Sequence, residues 1–275
     1  MDVFGISEGA FRLGVFSSVF VLMALAETAF PRKRRTQPRV RRWFANWGLV
    51  IIDTLVLRIT FPILAVSVAF YVEGRGWGLL NWTTLPIWVE IVIAVAMLDL
   101  AVWAQHVASH KIPLLWRVHK VHHADRDIDV TTGARFHPIE IVLSMGYKFA
   151  CILALGPAAL AVFLFEVILN ASAMFNHSNV RLPLGLDRAL RLLIVTPDMH
   201  RVHHSIITTE TDSNYGFFLS FWDRLFRTYI DQPQKGHCGI TIGLAEHQDD
   251  APSSLFWSLW LPFASQERAH RENGS

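Results

Sequence analysis

The chain has 275 residues, of which 52% are hydrophobic and 17% charged, with a formal net charge of +2. Soluble domains carry about 25% charged residues, so the composition points to a membrane protein, and the small charge, not gathered on a broad basic face, excludes a nucleic-acid partner. Thirteen histidines are the unusual component, whereas the two cysteines, Cys151 and Cys238, form neither a metal-ligand spacing nor a disulfide framework.

The first apolar run, Phe11 to Phe30, has the length of about 20 residues that a span requires. Ala24-Leu25-Ala26 resembles a leader cleavage site, but the segment ahead holds Asp2, Glu8 and only Arg12, not a basic stretch, so a retained span is expected. PRKRRTQPRVRR follows at once, and its Lys and Arg residues between Arg32 and Arg42 adjoin membrane on both sides. By the positive-inside rule this loop is cytoplasmic and the N-terminus lies outside. A second apolar stretch, Trp47 to Val72, and a third, Leu85 to Ala104, are joined across Gly74, Gly76 and Gly78. These two crossings return the chain to the cytoplasmic side just before His106. The tract from Ile139 to Phe175 has Gly156-Pro157 at its middle, which breaks it into a hairpin of two helices, spanning wholly or in part. An even number of passes keeps His106 through His204 on one cytoplasmic face. The expected fold is all-α: an integral membrane helical bundle of four to five spans or partial spans, with a cytoplasmic helical cap. Residues 1–98 would form the first spans and basic loop, 99–230 the histidine-bearing domain with its membrane hairpin at 139–175, and 231–275 a C-terminal tail.

The histidines fall into His106-x3-His110, His119-x2-His122-His123 and His200-x2-His203-His204. On a helix, positions i, i+3 and i+4 lie within about 60° of arc, so each group points imidazoles the same way. Neutral imidazole binds iron, zinc, copper or nickel. With His177 as a natural ninth, the set exceeds the four ligands of structural zinc and the six of one octahedral ion, which calls for two metal ions. Isolated His237, His247 and His270 read as ordinary polar residues. Asp99 precedes His106 by seven residues on the same helical face and is expected to accept the second ring N–H of a ligand, as a buried acid in a span needs a partner. Glu166 is a vaguer case of the same kind, and Glu90 reads as interfacial.

These residues resemble the fatty acid hydroxylase and sterol desaturase superfamily of membrane histidine-box enzymes. The similarity runs from Asp99-Leu100-Ala101-Val102-Trp103-Ala104-Gln105-His106 through LLWRVHKVHHAD and Arg135-Phe136-His137-Pro138 to DMHRVHH and FWDRLFRTY, about Asp99 to Tyr229. The three-residue gap in the first box is similar to the hydroxylase and sterol branch. The resemblance implies that His106, His110, His119, His122, His123, His177, His200, His203 and His204 bind two iron ions, with zinc as a substitute in purified protein. It also implies hydroxylation or desaturation of a lipid, such as a sterol or fatty acyl chain, by dioxygen. Some fatty acid hydroxylases have another histidine where this chain has Ala173, so that the site either has an open position or takes His137 in its place. His137 before Pro138 also reads as a turn residue. His137-Pro138 is followed by Ile139-Glu140 and not by a glycine pair, so no fused haem domain is expected and electrons come from a separate protein.

Three rival readings have their own marks. A haem carrier would need isolated histidines facing across helices, which adjacent His122-His123 and His203-His204 serve poorly. A zinc-dependent hydrolase would need a base beside the metal, and Lys120 and Arg201 stand where HExxH has glutamate. A non-catalytic protein could keep the metal as a scaffold.

Overall fold

In a bilayer the backbone must satisfy its own N–H and C=O groups, and long apolar segments therefore fold as helices. The computed structural model describes residues 2–3 and 5–264. A two-stranded turn, β1 (Asp2–Val3) and β2 (Ile6–Ser7), leads into α1 (Glu8–Ala29), whose first turn is capped by the Ser7 hydroxyl. There follow α2 (Arg39–Thr60), α3 (Ala65–Arg75), α4 (Ile87–Lys111), α5 (Pro113–His123), α6 (Pro138–Leu155) and α7 (Ala159–Asn176). Six short helices complete the cap: α8 (Leu184–Leu190), α9 (Pro197–His203), α10 (Thr208–Thr211), α11 (Phe221–Leu225), α12 (Gly236–Gly239) and α13 (Leu255–Trp260). Among the described residues, α1, the α2–α3 unit, α4, α6 and α7 are long and apolar enough to cross a membrane. The chain is an all-α, multi-pass membrane bundle.

The second span departs from the expected Trp47–Val72 segment. It begins eight residues earlier, at Arg39, and is interrupted at 61–64, where Pro62 lacks a donor and disfavours helix at Phe61. Arg42, Ala45, Asn46 and Leu49 are buried on this helix, with Arg42 and Asn46 bonded to Asp125 and Leu49 packed on Val121 and Ala124.

α7 lies at the centre, packed on α1, α3 and α4. Ala65, Val68, Ala69 and Val72 form the buried stripe of α3, at the i, i+3, i+4, i+7 spacing of a helix face, against Leu98, Val162, Phe163 and Phe165. The α6–α7 hairpin turns at Gly156, which has φ +63°. A Cβ on the facing Gly78 would run into the Gly156 backbone, and Asn81 Nδ2 donates to the Gly156 carbonyl at 2.9 Å. The hairpin therefore reaches as deep as the α3–α4 connection. Glu90 and Glu73 accept the free N–H groups of Ala158 and Ala159 at the start of α7, so Glu90 is a helix cap.

At the other end, the basic loop locks the cap. Buried Arg42 donates to Asp125 at 2.6 and 2.8 Å and to Asp129 at 2.6 Å, and also meets the Asp127 carbonyl. Burial alone would raise the Asp125 carboxyl, but the Arg42 guanidinium outweighs it and holds the group at about 2. Arg32 pairs with Asp198 at 2.9 Å and Arg39 with Glu27 at 2.6 Å. Arg135, fully buried, donates to Asn46, Val121, Pro252 and Ser258, tying α2, α5 and the 251–260 segment together. Residues 255–263 pack against α2 and α5.

Candidate metal centre and its cavity

Four elements deliver the histidines. α4 ends with His106 and His110 one turn apart, and Pro113 then restarts the chain as α5, carrying His119, His122 and His123. Proline suits a first helical turn, where its missing N–H costs nothing. His177 caps the C-terminus of α7. α9 begins with Pro197, its N–H at Met199 accepted by the Thr196 hydroxyl, and it presents His200 and His203, with His204 as its C-terminal cap. The nine imidazoles sort into two sets whose ligand atoms lie within 4.8 Å of one another: His106, His110, His119, His123 and His203, and His122, His177, His200 and His204. Each HxxHH box contributes its i, i+4 pair to one set and its i+3 member to the other. His123 and His204 stack between the sets at 4.6 Å.

Backbone carbonyls fix the ring orientations. His106 Nδ1 donates to the Tyr215 carbonyl at 2.7 Å, His122 to Arg135 at 3.1 Å, His177 to Ala173 at 2.7 Å and His203 to Ser213 at 2.7 Å. His119 Nδ1 instead meets Glu140 Oε1 at 2.6 Å. A ring that donates from Nδ1 has a bare lone pair on Nε2. Among the described residues, Nε2 of His106, His110, His119 and His203 is buried without a partner. In the second set, His177 Nε2 lies 3.1 Å from His122 Nε2 and 3.0 Å from His200 Nε2. His122 and His177 both donate from Nδ1, and two Nε2 lone pairs cannot hydrogen-bond each other, so these two nitrogens converge as ligands of a common cation do. Burial, reinforced by neighbouring imidazoles, holds His122, His123, His200 and His204 well below the usual imidazole value. Burial likewise brings His177 to about 4 and His203 to about 3. Neutral, oriented imidazole is the metal-binding form, so the residues fit two metal ions.

Asp99 requires a correction. It accepts no imidazole N–H; its Oδ2 takes the Leu219 N–H at 3.1 Å and Trp222 Nε1 at 2.9 Å. Seven residues are two helical turns, about 10 Å of rise, so a shared helical face leaves Asp99 out of reach of His106. The same loop is held by Asp223, which accepts Trp103 Nε1 and the N–H groups of Tyr215 and Gly216. His137 is not brought to the other histidines: its Nδ1 accepts the Ile139 N–H and its Nε2 contacts the Leu259 carbonyl. His237 lies 3.5 Å from Asp198, His247 meets Trp257 edge to face, and His270 is outside the described residues. Neither cysteine joins the two sets.

Glu140 escaped sequence reading, although an acid in the first turn of an apolar hairpin is itself a signal. Gly133 escaped it too. A Cβ there would stand 2.5 Å from the Ala173 oxygen and 3.3 Å from His177 Nδ1, on the hydrogen bond that orients His177.

A cavity of about 400 Å³ opens among α1, α2, α4, α6 and α7 directly against this centre. His106, His119 and Glu140 line it at the cap; Arg12, Lys148 and Glu166 line it deeper, Lys148 being about 12 Å along α6 from Glu140. Glu166 is satisfied there by Arg12 at 2.8 Å and Lys148 at 2.7 Å. Phe16, Leu57, Leu98, Val102 and Phe165 supply apolar wall.

Comparison with known proteins gives a match to the fatty acid hydroxylase family over residues 91–228. An ornithine lipid hydroxylase from Rhizobium tropici is 27% identical over 238 residues, covering 83% of this chain and 70% of that protein. Human alkylglycerol monooxygenase is 28% identical over 163 residues, covering 59% of this chain and 35% of that protein. A very-long-chain aldehyde decarbonylase from Oryza sativa subsp. japonica is 29% identical, covering 72% of this chain and 33% of that protein. The chain thus spans only about a third of these two longer relatives. No solved structure matches.

Proposed function

The chain belongs to the fatty acid hydroxylase family, and from that premise we propose that it is a membrane oxygenase that hydroxylates a C–H bond of a lipid. The single observation that carries this reading is the division of nine buried imidazoles into sets of five and four at the wall of a cavity within the membrane spans. In this reading two irons are held by those sets, dioxygen is the oxidant, and a separate protein supplies electrons. The irons, when bound, would supply the redox chemistry that activates dioxygen and oxidises the substrate carbon.

The rest falls to the chain. His106 and His119 would face the substrate, since both line the cavity. Glu140 and the four carbonyl acceptors hold the tautomers of five of the nine rings, so those imidazoles would be pre-oriented to hold the metals. The all-imidazole sets bring no negative charge of their own, which distinguishes this centre from carboxylate-rich di-iron bundles. Burial keeps water from the centre. The relatives that carry the names ornithine lipid hydroxylase and alkylglycerol monooxygenase favour hydroxylation over desaturation. We place the cap in the cytoplasm, on the Lys and Arg residues between Arg32 and Arg42 beside two spans.

The test is metal analysis of protein purified anaerobically in detergent, with oxygen uptake measured on added lipid. About two irons per chain in the wild type, and loss of lipid-dependent oxygen uptake in His203→Ala, is the expected result. Folded protein that binds no iron would overturn the reading.

A further inference from the structure

Asp53 stands on α2, inside a membrane span, and is 7% exposed. It lines the cavity, and its Oδ1 is buried with no hydrogen-bond partner among the described residues. The two basic groups that line the same cavity are engaged elsewhere, because Arg12 and Lys148 both bind Glu166. Glu140 lines the same cavity; its Oε1 holds His119 and its Oε2 is likewise buried without a partner among the described residues. An uncompensated carboxylate in a bilayer interior is costly, and such acids mark substrate or ion sites. The neighbouring polar groups point the same way: Gln105, Ser109 and Ser144 also line the cavity, where a chamber built for an alkyl chain alone would be apolar.

We propose that the cavity takes the head end of an amphiphile bearing a protonated amine, held by Asp53 and the free oxygen of Glu140 beside His106 and His119. An ammonium brings three N–H donors to the two unpartnered oxygens and a positive charge to Asp53, which has no basic partner in the cavity among the described residues. A hydroxyl would satisfy a lone pair but leave the charge uncompensated. The carbons presented to the histidines are then those near the amine, not the far end of the chain.

This inference rests on the cavity being the substrate chamber of the proposed oxygenase, and its test reads binding instead of turnover. Dodecylamine, dodecanol and dodecanoate are titrated onto the iron-loaded protein in detergent, with wild type, Asp53→Asn and Asp53→Ala compared at equal metal content. The amine binds wild type more tightly than the alcohol by about tenfold or more, and both variants abolish that preference. Equal binding of amine and alcohol to wild type, or an amine preference that survives in the variants, overturns the proposal. Amine selectivity without oxygen uptake on any lipid would count against the oxygenase reading alone; oxygen uptake without amine selectivity would count against this inference alone.

Discussion

His106 and Tyr215 are 109 residues apart, yet the imidazole of one donates its Nδ1–H to the backbone carbonyl of the other at 2.7 Å. Asp223 holds that carbonyl in place by accepting the N–H of Tyr215 at 2.9 Å and of Gly216 at 2.9 Å, with Trp103 Nε1 at 3.0 Å. Asp223 is therefore a positioning residue. Asp223→Asn replaces one of the two accepting oxygens by an NH2 group and leaves at least one backbone donor unsatisfied. We expect a loss of about 1–3 kcal/mol in stability, read as a lower thermal midpoint in detergent, together with reduced metal occupancy. Unchanged occupancy would break the link to His106.

Gly133 faces the His177–Ala173 hydrogen bond. Gly133→Ala forces the 132–134 turn or the end of α7 to shift, an overpacking that costs about 1–3 kcal/mol. Lipid-dependent oxygen uptake should fall with it, whereas Gly146→Ala, where nothing lies within 4 Å of the added Cβ, serves as the neutral control.

The two histidine sets are separable by mutation. His110 belongs to the set of five and His177 to the set of four. His177→Ala leaves three ligands in its set and should retain about one metal per chain, held by the five. His110→Ala, which leaves four in each set, should keep a higher metal content than His177→Ala. Metal analysis of the two variants side by side decides the point, and equal losses would contradict the division.

Arg42 carries both a topological charge and a buried ion-pair network. Replacing it by Met strands Asp125 and Asp129 in the cap, a loss of about 3–5 kcal/mol typical of breaking a buried pair from one side. The other Lys and Arg residues of the loop remain, so the membrane orientation, read by protease access to the termini, should not change while the thermal midpoint drops.

Acid should destabilise the metal-free protein in two successive, partly overlapping windows. His177 and His203 have folded values of about 4 and about 3, below the ordinary 6.5 of imidazole. Between 6.5 and those values the unfolded chain binds protons that the folded chain refuses, so stability falls as pH drops through that range. Asp125, depressed to about 2, contributes stability above the ordinary carboxylate value of 3.8 that is lost only as pH falls from there towards 2. Denaturation midpoints of the apo protein from pH 8 to pH 5 should therefore decline, and a flat profile would mean that the imidazoles are not buried neutral.

The sequence by itself determined the membrane class, the number of spans to within one and the residues that meet at the centre. Hydrophobic runs and clustered imidazoles are one-dimensional signals, because a bilayer reads length and a helix reads spacing. It left the α2–α3 break unplaced, although Pro62 was visible, since hydropathy averages over a single proline. Only the tertiary structure decided which set each histidine joins. The i+3 member of each HxxHH box crosses to the other set, and that depends on how α5 and α9 face each other, not on either spacing. Tertiary structure also assigned the ring partners to the carbonyls of Tyr215, Ser213, Arg135 and Ala173. Every residue has a carbonyl, so such a role leaves no mark on residue identity. Asp53 and Glu140 differ in that an acid in an apolar run is visible in the sequence, but only the packing of α2 on α6 turns both towards one cavity.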